Sequence, residues 1–94
     1  MAKAIFNGTV IAESDAVERV EGNLYFPPDS LRMGCFSPSD RTTLCGWKGT
    51  AHYYTLHVNG AVAENAAWTY PEPKAAAGTI KGYIAFYPVV TVEP

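Results

Sequence analysis

The sequence predicts an all-β domain: a compact antiparallel roll or small barrel with one short helix near the C-terminal third. Three observations carry that prediction. Two Asn-Gly pairs, Asn7-Gly8 and Asn59-Gly60, each separate runs of β-forming residues, and Asn-Gly is the pair selected by a two-residue hairpin turn with both φ angles positive. Short apolar or aromatic runs recur with turn residues between them, the pattern of a small roll or barrel. Aromatic residues make up 13% of the chain, and these side chains suit a pleated, half-buried surface.

The elements follow in order. Ala4-Ile5-Phe6 and Thr9-Val10-Ile11 flank the first Asn-Gly and form hairpin one. Residues 16–26 read as strand material bent near Glu21-Gly22-Asn23, and Pro27-Pro28 ends it, because neither proline can donate to a ladder. Residues 29–45 are rich in Ser, Pro, Asp and Gly and read mainly as a long ordered loop with a helical turn at Ser30-Leu31-Arg32-Met33. Long loops in compact domains often carry function. The second Asn-Gly joins Tyr54-Thr55-Leu56-His57-Val58 to Ala61-Val62-Ala63-Glu64. Pro73-Lys74 followed by three alanines predicts a short helix that Gly78 stops. The last strand is expected over 82–87, with Val89-Val90-Thr91-Val92 as an edge extension.

Ninety-four residues with 48% hydrophobic and 17% charged content suffice for one domain, spanning 1–94, with a modest core. Net charge is -2 and the seven basic residues are scattered, whereas phosphate-backbone binding calls for a clustered basic face. Nucleic acid is therefore not an expected partner. No apolar segment reaches signal-peptide or membrane length, so the expectation is a cytoplasmic protein with no membrane partner, its two cysteines held as thiols. Asn7-Gly8-Thr9 matches a glycosylation acceptor but reads here as a turn.

The candidate chemistry centres on Cys45 and Lys48, three residues apart and just ahead of an aromatic strand. A nearby ammonium lowers a thiol's pKa, and the thiolate is the reactive species; conversely, a lysine desolvated among aromatics becomes a better nucleophile or base. The plainer account makes Cys45 a small buried apolar group and lays the Lys48 stem over Trp47 or Tyr54 with its head in water. If 48–58 is one unbroken strand, alternation puts Lys48 and Tyr54 on one face and Tyr53 on the other. A bulge at Gly49 would change that phase, so both Tyr53 and Tyr54 are candidates. Tyr25, Tyr53, Tyr54, Trp68, Tyr70, Tyr83 and Tyr87 form a large aromatic set whose phenols suit a small-molecule pocket, although aromatics also fill sheet cores. Cys35, Cys45, His52 and His57 lack the paired spacing of structural zinc sites. No metal or other cofactor is expected, and the histidines read as strand-surface residues.

The run Thr43-Leu44-Cys45-Gly46-Trp47-Lys48-Gly49-Thr50-Ala51-His52-Tyr53-Tyr54, together with Tyr25-Phe26-Pro27-Pro28, Glu64-Asn65-Ala66-Ala67-Trp68-Thr69-Tyr70 and Tyr83-Ile84-Ala85-Phe86-Tyr87-Pro88, closely resembles the DUF427 family of small domains. The resemblance spans nearly the whole chain. It implies the same β fold and a site lined by Cys45 and Lys48, but the family carries no established activity. A label attached to the family suggests nucleotidyl transfer, which relies on carboxylates holding two metal ions. The acidic residues here are dispersed and no glycine-rich phosphate loop precedes a helix; Asp40 and Glu64 could orient the lysine from across the site, but ordinary surface charge is the preferred account of both. Three positions depart from the family pattern: Gly46 stands where proline is frequent, the acid near Ser30 is Asp29, and Phe6 replaces a common tryptophan.

These residues predict one polar-aromatic pocket built from Tyr25, Cys45, Lys48, Tyr53 or Tyr54, Trp68 and Tyr70, with Lys48 on an anionic or carbonyl group and Trp68 stacking. Three alternatives stay open: a small-molecule ligand site, an enzyme using Cys45 or Lys48 as nucleophile or base, and a structural or protein-interaction domain in which the same side chains are core. The edge strand near Val89 permits either a monomer or a homodimer.

Overall fold

A computed structural model describes all 94 residues. Nine antiparallel strands form three open sheets, so the roll expectation holds and the closed-barrel alternative does not. Strands β1 (Ala2–Phe6) and β2 (Thr9–Ser14) make the first hairpin, with Asn7 and Gly8 at φ 49 and 74. β3 (Glu18–Val20) and β4 (Asn23–Tyr25) form a second, two-stranded sheet. Glu21 and Gly22 both have positive φ (52 and 80), so the expected bend is a full two-residue hairpin turn.

The main sheet has the order β5-β6-β7-β8, from β5 (Phe36–Cys45), β6 (Gly49–Val58), β7 (Ala61–Thr69) and β8 (Ile84–Phe86). Asn59 and Gly60 turn β6 into β7 with φ 48 and 84, as their sequence predicts. β9 (Thr91–Glu93) closes the chain against β1, giving the first sheet the order β2-β1-β9. The Phe26 amide donates to the Ile84 carbonyl at 2.7 Å and the Ile84 amide returns to Phe26 at 2.8 Å, which joins the small hairpin to β8.

Three expectations are corrected here. Residues 36–45 are not loop but the ten-residue edge strand β5. Its hydrophobic alternation is missing because it lies at the sheet's edge and is exposed over much of its length, and an edge strand tolerates Pro38. Its pairing with β6 shifts register between Pro38 and Thr42. The helical turn expected at 30–33 is replaced by two single 3₁₀ turns on either side of it, Pro28–Ser30 and Met33–Cys35. The short helix is likewise 3₁₀, two turns within Ala75–Ile80 that meet at a kink at Ala77 (φ -114, ψ 22), so the break falls one residue before Gly78. Burial of Ala77 and Ile80 holds that segment, since so few residues have little helical stability of their own.

Alternation along β6 separates two cores. Leu56 and Val58 face the larger cluster, with Phe6, Ile11, Phe26, Phe36 and Phe86, between the first sheet and the main one. Ala51 and Tyr53 face the other side, where Tyr25, Tyr70, Ala77, Ile80 and Ala85 form a smaller cluster. Each fully buried large apolar side chain, such as Leu56 or Ile80, contributes about 1.5–3 kcal/mol relative to exposure. The β3–β4 hairpin covers this second face only in part, and the functional candidates lie along that boundary.

Candidate functional site

Cys45 pairs with Gly49 across the turn formed by Gly46, Trp47 and Lys48. No register shift occurs at Gly49; the strand begins there, at φ 113. Lys48 therefore belongs to the turn and escapes the alternation of β6. Its side chain folds onto the smaller core, with Nζ 5.2 Å from the centroid of Trp47 and 5.7 Å from that of Tyr70. Lys48 is only 7% exposed.

The partner of this buried ammonium is Glu21, at the tip of the β3–β4 hairpin, which receives a hydrogen bond and ion pair from Nζ. Trp47 Nε1 donates to the other carboxylate oxygen at 3.4 Å. The Lys48 hydrogen bond holds Glu21 below its ordinary pKa against a smaller opposing effect of desolvation. Burial pulls the Lys48 pKa down, but the Glu21 hydrogen bond and the neighbouring Tyr25, Tyr70 and Cys45 outweigh it, and the net direction is up. Lys48 thus stays a cation near neutrality. Asp40 and Glu64 form no ion pair with it, in line with their reading as surface charge.

Cys45 is half-buried against the same cluster. Its thiol pKa lies below the ordinary value because the backbone amides of Lys48 and then Trp47 point at the sulfur, helped by the Lys48 charge and opposed by burial and Glu21. Cys35 is the second free thiol. Tyr70 is buried, and burial pushes its phenol up to about 12 against the opposing Lys48 charge.

Tyr25 is fully buried and its hydroxyl accepts the Trp68 indole N–H at 3.1 Å, with the rings edge-on at 6.3 Å and 87°. Trp68 faces a recess of about 450 Å³ whose walls include Arg19, Asn23, Leu24, Tyr87 and Pro88. Neither Cys45 nor Lys48 lines any of the five main recesses. Those two residues and Tyr70 form a filled cluster next to the recess, and Trp68 is the expected site residue that lines it.

The two adjacent tyrosines diverge. Tyr54 turns to the larger core, edge-on to Phe36 at 5.8 Å and 88°. Tyr53 lies on the Trp68 face, with its hydroxyl 2.9 Å from Thr43 Oγ1 and the Arg41 guanidinium 5.1 Å from its ring centroid. Burial raises its pKa, yet the Thr43 hydrogen bond and the neighbouring Tyr87 and Arg41 outweigh burial and the net direction is down. Tyr87 is shifted upward, chiefly by its neighbour Tyr53. Its ring stacks with Tyr53 at 6.4 Å and 14° and leans on Trp68 at 4.8 Å.

The structure holds no group of three His, Cys, Asp or Glu side chains placed to bind a metal ion. His52 and His57 are exposed, and His57 Nε2 lies 2.8 Å from Ser37 Oγ. Sequence reasoning passed over Glu21, Arg19, Asn23 and Arg41, and took Tyr87 only as one of the general aromatic set. The usable signal for Glu21 was its place before Gly22 in a turn, which sets it at a hairpin tip, but nothing local pairs it with Lys48.

A family model described as a domain of unknown function (DUF427) matches residues 1–93, and the chain belongs to that family. No curated protein matches it.

Proposed function

We propose that this domain binds a small anionic or carbonyl-containing metabolite in the recess beside Trp68. The observation that carries the proposal is the anchored indole: Tyr25 holds Trp68 by its N–H, and Arg19 and Asn23 stand on the same recess as cationic and amide partners. A concave site with an aromatic wall and a few polar groups is the usual form of a small-molecule pocket. Arg19 forms no ion pair within the protein, so its guanidinium is free for an acid or carbonyl oxygen. Lys48 is a positioning residue. Its clasp on Glu21 ties down the hairpin that supplies Arg19, Gly22, Asn23 and Leu24 to the recess. Tyr70 and Tyr25 support the same wall from beneath. We place the protein in the cytoplasm, where Cys35 and Cys45 remain thiols.

Thermal-shift measurement against a panel of carboxylate, keto-acid and phosphate metabolites tests this function. A ligand at a hundredfold its Kd stabilises by about 2.7 kcal/mol. The expected result is a concentration-dependent shift that Arg19→Ala removes without lowering the melting point of the free protein. If no panel member shifts the wild type, the proposal is wrong.

A second reading makes the domain an enzyme with Cys45 as nucleophile, favoured by the two backbone amides directed at its sulfur. Iodoacetamide labelling followed by mass spectrometry decides it, because Cys35 serves as an internal reference. Preferential alkylation of Cys45 below neutral pH supports the reading; equal pH profiles for both thiols remove it.

A further inference from the structure

Beside the Trp68 recess lies a cluster of hydroxyls with a guanidinium that has no anionic partner. Arg41 and Thr43 come from β5, Tyr53 from β6 and Tyr87 from just past β8, and the other three gather around the Tyr53 side chain. Arg41 is exposed and takes part in none of the three ion pairs of the protein, which join the N-terminus to Asp15, Lys3 to Glu13 and Lys48 to Glu21. The guanidinium has five N–H groups and no acceptor capacity. The Thr43, Tyr53 and Tyr87 hydroxyls add three more donors. The Tyr53 hydroxyl lies 2.9 Å from Thr43 Oγ1, the Tyr87 ring stacks on that of Tyr53 at 6.4 Å, and the Arg41 guanidinium lies 5.1 Å from the Tyr53 ring centroid. An anion accepts stronger hydrogen bonds from a guanidinium and hydroxyls gathered in this way than a neutral phenol oxygen does.

Tyr87 connects this cluster to the recess. It lines the recess, leans on Trp68 at 4.8 Å, stacks on Tyr53 at 6.4 Å, and is 41% exposed. A molecule lying against Trp68 and Tyr87 therefore meets an aromatic wall and, at its end, the Arg41 cluster.

We propose that Arg41, Thr43, Tyr53 and Tyr87 form an oxyanion seat at the mouth of the Trp68 recess, and that the ligand is a flat ring bearing a carboxylate or phosphate group. The inference rests on the proposed recess and deepens it by naming the ligand class. The ring lies on Trp68 and Tyr87, where edge and face contacts between π systems are favoured. The acid takes a forked pair of N–H groups from Arg41 and the exposed Tyr87 hydroxyl, with Thr43 and Tyr53 behind them.

The test is a fluorescence titration in a Trp47→Phe background, so that emission reports Trp68. Benzoate and phenyl phosphate are the acidic probes, benzamide the neutral one. Saturable quenching by an acidic probe is expected, with benzamide about tenfold to hundredfold weaker, the range set by charge-assisted hydrogen bonds. Tighter binding of benzoate than of phenyl phosphate identifies a carboxylate seat, and the reverse order a phosphate seat. Arg41→Gln should weaken the acidic probe by about tenfold or more while leaving benzamide unchanged, and Arg41→Lys should recover part of the loss because it restores charge without the fork. If the acidic probe binds in an Arg19-dependent way but Arg41→Gln leaves its affinity within about twofold, the seat is refuted and the recess stands. If no ring probe quenches Trp68, seat and recess are refuted together.

Discussion

Replacing Tyr25 by phenylalanine removes one oxygen and tests how firmly the recess wall is held. The ring keeps its edge-on contact with Trp68 at 6.3 Å and its place in the smaller core. What is lost is the 3.1 Å acceptor for the indole N–H. A typical hydrogen bond contributes about 0.5–1.5 kcal/mol net, and a donor left dry costs about 1–3 kcal/mol. Trp68 is half-buried and lines an open recess, and the lower range is taken for its N–H. A loss of about 1 kcal/mol in a domain of this length lowers the melting point by about 4–8 °C. Tyr25→Ala, by contrast, deletes a fully buried ring and costs about 3–5 kcal/mol, a large share of the total stability of about 5–15 kcal/mol for a natural domain. Circular dichroism gives the melting point, and Trp68 emission in the Trp47→Phe background gives the environment of the indole, which should shift to the red in Tyr25→Phe. A variant that melts within about 1 °C of its parent, with unchanged emission and unchanged affinity for a ring probe, would refute the idea that Tyr25 fixes the wall.

Gly49→Ala should cost about 1–3 kcal/mol in a urea titration, since φ there is +113, a conformation that side-chain-bearing residues rarely adopt, while the new Cβ would make only ordinary contact with the Glu72 carbonyl oxygen at 3.4 Å. The Glu21–Lys48 clasp sets a two-sided pH dependence. Glu21 is lowered from 4.5, so its contribution is present above that value and lost as pH falls through the folded pKa; Lys48 is raised from 10.5, so its contribution is present below that value and lost as pH rises through the folded pKa. The difference in melting point between wild type and Glu21→Gln should therefore be largest near neutrality and shrink at both extremes, and a constant difference across the range would show that the pair does not couple to folding. Tyr54→Ala should destabilise by about 1–3 kcal/mol through the larger core while leaving ring-probe affinity intact, whereas Tyr53→Phe should weaken the acidic probe severalfold with a smaller loss of stability; equal effects in both assays would contradict the opposite facing of the two tyrosines.

The sequence by itself determined those features whose cause lies within a few residues. Asn7-Gly8 and Asn59-Gly60 admit positive φ at both positions, and both hairpins are where those pairs place them. Alternation along β6 separates Tyr53 from Tyr54, and the match to the family blocks carries the all-β fold over residues 1–93. β5 escaped notice because an exposed edge strand has no buried face to impose a period of two, so its Ser, Thr, Asp and Arg content looked like loop. Only the tertiary structure decided which acid meets Lys48, which tyrosine shares its side and where the recess opens. The Lys48–Glu21 contact spans 27 positions and the Trp68–Tyr25 bond 43. Residue periodicity assigns a side chain to a face of its own strand, but the group it meets there is set by how the small hairpin docks against the main sheet, through packing between segments far apart in the chain.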